Sequence, residues 1–202
     1  MQIQEAVKTP APKIAVASRP ELEQASLRVL IAAVILAYLL WYVLRDRSVG
    51  PEEYEPLALA GGFLVFSGLL TLWILAAPHV SVPRLFLGMV VDNAITTYVV
   101  IQMGEGGGAV AFSVYLFITF GNGFRFGRLY LHACQLMGLA GFSLVLVVSP
   151  FWSKHVEIGL GFLIALIVLP FYVGALAERI KAERAKAEEA LKECIERERR
   201  GH

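Results

Sequence analysis

The sequence predicts an all-α polytopic membrane helical bundle of six spans, or alternatively five, that ends in a charged cytoplasmic signalling helix forming a parallel dimeric coiled coil. Three observations predict it. Apolar residues make up 57% of the 202 residues and charged residues only 17%, where a water-soluble domain carries about a quarter charged residues. Apolar runs close to the roughly 20 residues that a bilayer crossing needs recur along the chain. Charge is concentrated at one end: the last 25 residues hold eight of the 18 Lys and Arg and seven of the 17 acids, leaving ten of each sign for the first 177. A net charge of +1 removes the electrostatic case for a nucleic-acid binder, which needs a basic face. Cys134 and Cys194, the two cysteines, are too few for a disulfide scaffold or a Cys-rich zinc site.

The N-terminal segment, residues 1–26, carries Pro10, Pro12 and Pro20 with scattered charges and is expected to be loose up to about Ser18. The first apolar run is too long for a signal-peptide core and lacks a small-residue cleavage site, so this segment is read as retained. A transmembrane bundle is expected over 27–176. Its first span, 27–44, begins with Arg28 near its start and gathers Tyr38, Trp41 and Tyr42 at its far end, like an interfacial aromatic belt. The second, 57–77, follows Pro56, which suits a first helical turn, and stops before Pro78. The third, 84–103, carries Asp92 and Asn93 in mid-span. The fourth, 108–120, is short and reaches crossing length only by absorbing 121–124, so a tilted or re-entrant helix is the alternative. The fifth is 129–148. The sixth, 158–172, is prolonged to Leu176 and contains Pro170, where a kink is expected.

Orientation follows the placement of Lys and Arg. The tail is richest in them and is placed in the cytoplasm. Counting back through six spans puts Arg125, Arg128, Arg84, Lys8, Lys13 and Arg19 on the same side and leaves Arg45, Arg47 and Lys154 outside. With five spans the N-terminus would be external.

From Val173 the composition turns to Ala, Glu, Lys and Arg, with no Gly or Pro between Gly174 and Gly201, which predicts one helix running out of the membrane into residues 177–202. Ala177, Arg184, Leu191 and Glu198 fall at heptad position a and Ile180, Ala187 and Cys194 at d, a thin seam suited to a parallel homodimer. A solvated, monomeric tail is the other reading, since such a helix is marginal alone. Leu176, Ile180 and Leu191 are the candidate signalling positions on this helix.

Asp92 is the hardest residue to explain away, because an acid in mid-membrane is costly unless paired, protonated or wetted. Asn93, Thr96 and Thr97 offer it partners about one turn along. It is read either as a ligand or signalling group or as a buried polar knot that fixes helix register. A second cluster, Phe120-Gly-Asn-Gly-Phe-Arg-Phe-Gly-Arg128, reads as a tight turn between membrane segments around Asn122-Gly123. Arg125, flanked by Phe124 and Phe126, suits either a carboxylate ligand or a lipid phosphate at headgroup level. Glu105 lies at the opposite membrane face on six spans and is expected to be solvated.

No catalytic constellation emerges. His79, His132, His155 and His202 lack metal-ligand spacing, and there is no Gly-x-Ser-x-Gly or phosphate-binding glycine loop. His132 is read as a packed or hydrogen-bonded helix residue. No enzyme activity, cofactor or metal is expected.

Three stretches carry a resemblance to a known family: Glu21-Leu-Glu-Gln24-x-x-x-Arg28 leading into the first span, Pro83-Arg84 followed by Asp92, and Gly121-Asn-Gly-Phe-Arg-Phe-Gly127. Over about 19–191 the chain resembles the membrane input module of the RpfC-like sensor histidine kinases that detect diffusible signal factor, or a stand-alone relative of the RpfH type. The resemblance implies a two-component quorum-sensing receptor for a medium-chain cis-2-unsaturated fatty acid in the bacterial inner membrane. It implies contacts to this ligand from Glu21, Gln24, Arg28, Asn122 and Arg125, and a histidine kinase core or partner kinase downstream. Two departures from the family pattern stand out: the chain stops before any phosphoacceptor helix or ATP domain, and the family is drawn with five spans and an external N-terminus. The competing class is a small ion- or proton-coupled transporter or channel using Asp92 and Asn93 at the midplane, which predicts internal repeats and paired broken helices.

Overall fold

The computed structural model describes residues 19–45, 54–77 and 79–200. Six helical elements account for nearly all of them: α1 Arg19–Arg45, α2 Tyr54–Ala76, α3 Val82–Phe126, α4 Arg128–Val148, α5 Pro150–Lys154 and α6 Val156–Arg200. The expectations for residues 1–18, for Arg47 and for the side chains of Glu105 and Cys194 lie outside the described residues. Among the described residues five segments are long and apolar enough to cross a bilayer: Pro20–Arg45, Tyr54–Ala76, Val82–Met103, Arg128–Val148 and Val156–Glu198. The protein is therefore an all-helical, multi-pass membrane protein. The chain forms two compact units, Met1–Leu85 and Phe86–His202.

In the first unit α1 packs along α2. Its buried stripe is Glu21, Ala25, Arg28 and Ala32, spaced four, three and four residues apart as one helix face requires. The two alanines let the backbones approach closely, the usual device between helices that share a lipid environment. Leu30, Val34 and Tyr38 point away and are exposed, as lipid-facing residues are. Tyr38 and Trp41 stand 6.4 Å apart, and the Arg45 guanidinium lies over the Trp41 ring, completing the aromatic end foreseen for this span. The helix begins well before Leu27, so Glu21 and Gln24 are helical residues on the same rod as the span.

In the second unit the helical stretch α3 is not a straight rod. Thr97 and Tyr115 are 18 residues apart, about 27 Å along an α-helix, yet the Tyr115 hydroxyl donates to Thr97 Oγ1 at 2.7 Å. The chain reverses between them, so residues 112–126 form a return leg that brings Tyr115 beside Thr97. This return leg is the short apolar run 108–124. Its residues Phe112 and Tyr115 join Val100, Phe142, Val145, Trp152 and Leu166 in the core. Phe112 stacks on Phe162 at 4.2 Å and meets Phe142 edge-on at 5.2 Å, and Trp152 of the unforeseen helix α5 packs edge-on against Phe142 at 5.5 Å.

The turn expected around Asn122-Gly123 lies elsewhere. The helix continues to Phe126, and the chain turns at Gly127, whose φ of 97° is a conformation glycine adopts without the Cβ penalty. Gly127 N–H closes the helical bond to Gly123 O at 2.9 Å, while Gly127 O accepts Leu131 N–H at 3.1 Å, so one residue ends α3 and starts α4. Gly123 serves packing instead: a Cβ there would fall onto the Leu131 side chain. At the other end of α4, Ser149 closes the helix through its N–H to Val145 O, and Pro150 occupies the first turn of α5, where its missing N–H costs nothing.

α6 is 45 residues long, about 68 Å at 1.5 Å per residue, roughly twice the hydrocarbon thickness. The predicted single helix from the last apolar segment into the charged tail is present, with Pro170 inside it.

Candidate functional site

The first unit is organised around a buried ion pair. Glu21 of α1 and Arg84 at the start of α3 are each 2% exposed. Glu21 Oε2 accepts Arg84 Nε–H at 2.9 Å and an Nη2 hydrogen as well, while Oε1 accepts the Ser81 backbone N–H at 3.1 Å. Arg84 Nη1 donates to Ala77 O at 3.1 Å and Trp73 O at 3.5 Å, and Nη2 donates to His79 O at 2.7 Å. All five guanidinium hydrogens are thereby used. Trp73 O and Ala77 O belong to the last turn of α2 and its exit, where helical carbonyls lack donors of their own. Arg84 thus ties α1, the end of α2 and the following turn together, and its Cζ also lies 5.9 Å from the Trp73 ring, within cation–π range. Arg84 stood out in the sequence only as a topology signal and a family mark; nothing there paired it with Glu21, because their 63-residue separation leaves no local pattern. Gln24, half-buried, and Arg28, buried, continue the Glu21 face along α1. These three candidate ligand contacts lie on one helix.

Asn122, Arg125 and Asp92 belong to the second unit. Asp92 is half-buried, while Asn93 beside it is buried. A ladder of side-chain hydrogen bonds starts there: Asn93 Nδ2 donates to Met89 O at 2.9 Å, Thr97 Oγ1 to Asn93 O at 2.7 Å, Tyr115 Oη to Thr97 Oγ1, and Thr119 Oγ1 to Tyr115 O at 2.8 Å. Asn93 Oδ1 is buried with no donor among the described residues. A Cβ on Gly141 of α4 would collide with Thr97 Oγ1, so the glycine is what lets α4 lie against this ladder. Asn122 is buried and donates to Ile118 O at 2.8 Å; Arg125, half-buried, reaches Gly121 O at 3.3 Å.

A second polar seam, between α4 and α6, contains a residue that the sequence reading passed over. Gln135 of α4, 3% exposed, donates Nε2 to Leu166 O at 3.0 Å and to Ile167 O at 2.9 Å on α6. His132 Nδ1 lies 2.9 Å from Gln135 Oε1, so His132 is a hydrogen-bonded helix residue as expected, and its ring centroid is 4.9 Å from that of Phe171. Arg128 donates Nε–H to His132 Nε2 at 3.4 Å and pairs through Nη1 with the Glu178 carboxylate at 3.1 and 3.3 Å. A glutamine seven residues after an arginine in an apolar run, facing a helix that contains a proline, is the signal that could have found it.

Beyond the seam, Leu176, Ile180 and Leu191 are exposed on α6. Arg197 pairs with Glu193 at 3.6 Å, one of the i,i+4 contacts such a helix invites. Among the described residues no group of three or more His, Cys, Asp or Glu could hold a metal ion.

These helices and their charged extension can be compared with known proteins. The chain is 31% identical over 175 residues to the sensory/regulatory protein RpfC from two strains of Xanthomonas campestris pv. campestris. The chain is homologous to part of RpfC. The match covers 84% of this chain and 24% of RpfC, consistent with the membrane input region of that protein. No family model matches the chain, and no solved structure matches it.

Proposed function

We propose that the chain is the membrane input module of a two-component quorum-sensing system in the bacterial inner membrane. It binds a medium-chain cis-2-unsaturated fatty acid of the diffusible-signal-factor type and passes the signal through α6 to a histidine kinase core or partner kinase. The homology to RpfC across most of the chain carries the reading. A 45-residue helix that starts in the apolar bundle and ends in a charged tail supports the output half of it. The return leg 112–126 counts as a sixth crossing, which keeps both termini in the cytoplasm in agreement with the Lys and Arg placement. Ile180 and Leu191, exposed on α6 at heptad positions d and a, belong to the contact face of a parallel homodimer.

A fatty acid enters such a bundle from the lipid and needs an apolar slot between helices together with a cationic or donor group for its carboxylate. Arg28 and Gln24, on the same α1 face as Glu21, supply these groups in the first unit; Arg125 and Asn122 supply them in the second. In the first unit Arg84 uses all its hydrogens on protein acceptors, and Arg28, further along the Glu21 face of α1, is the cation we assign to an incoming carboxylate. The test is equilibrium binding of cis-2-dodecenoic acid to the protein in nanodiscs, with the trans isomer and dodecanoic acid beside it. Saturable, cis-selective binding that weakens in Arg28→Ala is expected. Equal, unsaturable uptake of all three acids means partition into lipid and ends the sensor reading. Asp92 is assigned to the packing change that follows binding: in a receptor that contains the kinase core, Asp92→Asn is expected to alter the response to the ligand, and an unchanged response removes Asp92 from the signalling path.

A further inference from the structure

Pro170 is fully buried inside α6. A proline has no N–H, so the carbonyl four residues earlier, that of Leu166, loses its helical donor, and the ring crowds it as well. In a bilayer no water replaces the missing donor, and a stranded carbonyl there is costly. Here a different helix supplies it. Gln135 places its amide nitrogen between Leu166 O and Ile167 O, at 3.0 and 2.9 Å. The amide has two hydrogens, and both are accounted for.

The amide itself is held. Arg128 donates Nε–H to His132 Nε2, which assigns that nitrogen as the acceptor and leaves the hydrogen on Nδ1 for Gln135 Oε1. Arg128, His132 and Gln135 stand at i, i+4 and i+7, one face of α4. They meet Leu166 and Ile167, Phe171 and Glu178 of α6 in the reverse order, so one line of contacts follows the seam from the proline break to the start of the charged tail. Gly174 allows the helices to approach there, since a Cβ on it would come to 3.0 Å of Leu131 Cδ2.

We propose that Gln135 is a positioning residue that latches the output helix at its proline break. By acting as the donor that Pro170 removes, it fixes the axial and rotational register of α6 against α4. An amide bridging two successive carbonyls fits one register: a slide of one residue or a turn of about 100° takes both carbonyls away from it. The seam therefore has a closed state and a released state, the two-state element through which a signal can move a helix. The signalling role rests on the reading of α6 as the output helix, whereas the latch itself can be measured with no ligand present.

The experiment uses the full chain in nanodiscs with spin labels at Leu136→Cys and Glu189→Cys, with Cys134→Ser and Cys194→Ser in every background so that neither native thiol takes a label, and dilution with unlabelled protein. Four backgrounds are compared by pulsed electron–electron resonance: unchanged, Gln135→Leu, Pro170→Ala, and the two together. One narrow distance is expected for the unchanged chain, and a broadened or shifted distribution for Gln135→Leu. Pro170→Ala restores the N–H that serves Leu166 O, so the double variant is expected to regain the narrow distance. An unchanged distribution in Gln135→Leu overturns the latch. Equal broadening with and without Pro170→Ala also overturns it, because Gln135 would then act through packing alone. If Gln135→Leu does not fold, recovery of folded protein by adding Pro170→Ala supports the proposal, and failure to recover it while Pro170→Ala alone folds overturns it.

Discussion

The two compact units of this protein solve the same problem, holding polar groups inside an apolar bundle, in opposite ways. In the first, Glu21 and Arg84 carry full charges, are both 2% exposed, and spend every guanidinium hydrogen on a carboxylate or a carbonyl. In the second, the contacts between α4 and α6 start from a neutral buried amide and end in an ion pair whose members are 61% and 54% exposed. A buried charge pair is costly to separate, because each partner would be left uncompensated in a medium that cannot solvate it. A neutral amide that loses its carbonyls gives up far less, and an exposed ion pair is replaced by water at little cost. The first arrangement suits a fixed joint, and the second suits an element that changes state.

The largest effect should come from breaking the fixed joint. Arg84→Met leaves Glu21 buried without its partner and strips donors from Trp73, Ala77 and His79; removal of one member of such a pair costs about 3–5 kcal/mol. The expected outcome is a large drop in the denaturation midpoint of detergent-solubilised protein, followed by tryptophan fluorescence. Adding Glu21→Leu to Arg84→Met should recover part of the loss, since the stranded carboxylate is gone while the unserved carbonyls remain. A small effect of Arg84→Met alone would mean that the pair is solvated, and the contrast between the units would fail. Gly141→Ala comes next. It forces a methyl onto Thr97 Oγ1, disturbs the Tyr115–Thr97 hydrogen bond, and should cost about 1–3 kcal/mol in the same assay, as overpacking usually does.

Much of the fold was legible because a bilayer imposes a length on every crossing: the five long segments and the unbroken last helix follow from apolar runs and from a tail rich in helix formers. The short run 108–124 was harder to read, since only the Tyr115–Thr97 contact reveals that it doubles back toward the third segment. The turn was misplaced because three glycines within seven residues look alike in sequence. Gly123 is needed for its contact with Leu131 and Gly127 for its positive φ, and spacing cannot distinguish those needs. The candidate site was legible as residue types rather than as partners. Glu21, Arg84 and Asp92 stood out as charges in or beside apolar segments, but the Glu21–Arg84 pair and the Gln135 bridge to Leu166 and Ile167 span 63 and 31–32 residues, and pairings at that range leave no periodic trace.

The glycine at the α3–α4 joint sharpens the comparison from the second unit. Gly127→Ala meets no neighbour within 4 Å, so its cost is that of the backbone conformation alone, φ 97° with ψ −176°, which only glycine adopts readily, about 1–3 kcal/mol. A stability loss of that size with an intact α4–α6 seam is expected. The seam can be followed by the spin-label distance, and a distance change as large as that of Gln135→Leu would mean that the joint, and not the amide, sets the register of α6.

The smallest effect is expected at the exposed end of the seam. Arg128 and Glu178 meet at 3.1 Å, but both side chains are more than half exposed, and such pairs contribute about 0–1 kcal/mol and weaken with salt. Arg128→Ala should therefore barely move the denaturation midpoint, and raising the ionic strength in the unchanged protein should mimic what little it does. Its structural consequence is more specific. Without Arg128, His132 Nε2 loses its donor and the imidazole is free to exchange tautomers, so the Gln135 amide is no longer oriented from behind. A modest broadening of the α4–α6 distance, present at low salt and approached by the unchanged protein at high salt, would show that the exposed pair steers the buried amide. A distribution indifferent to both changes would place the whole hold on α6 in the amide and the proline gap, and would make the ion pair a passive surface contact.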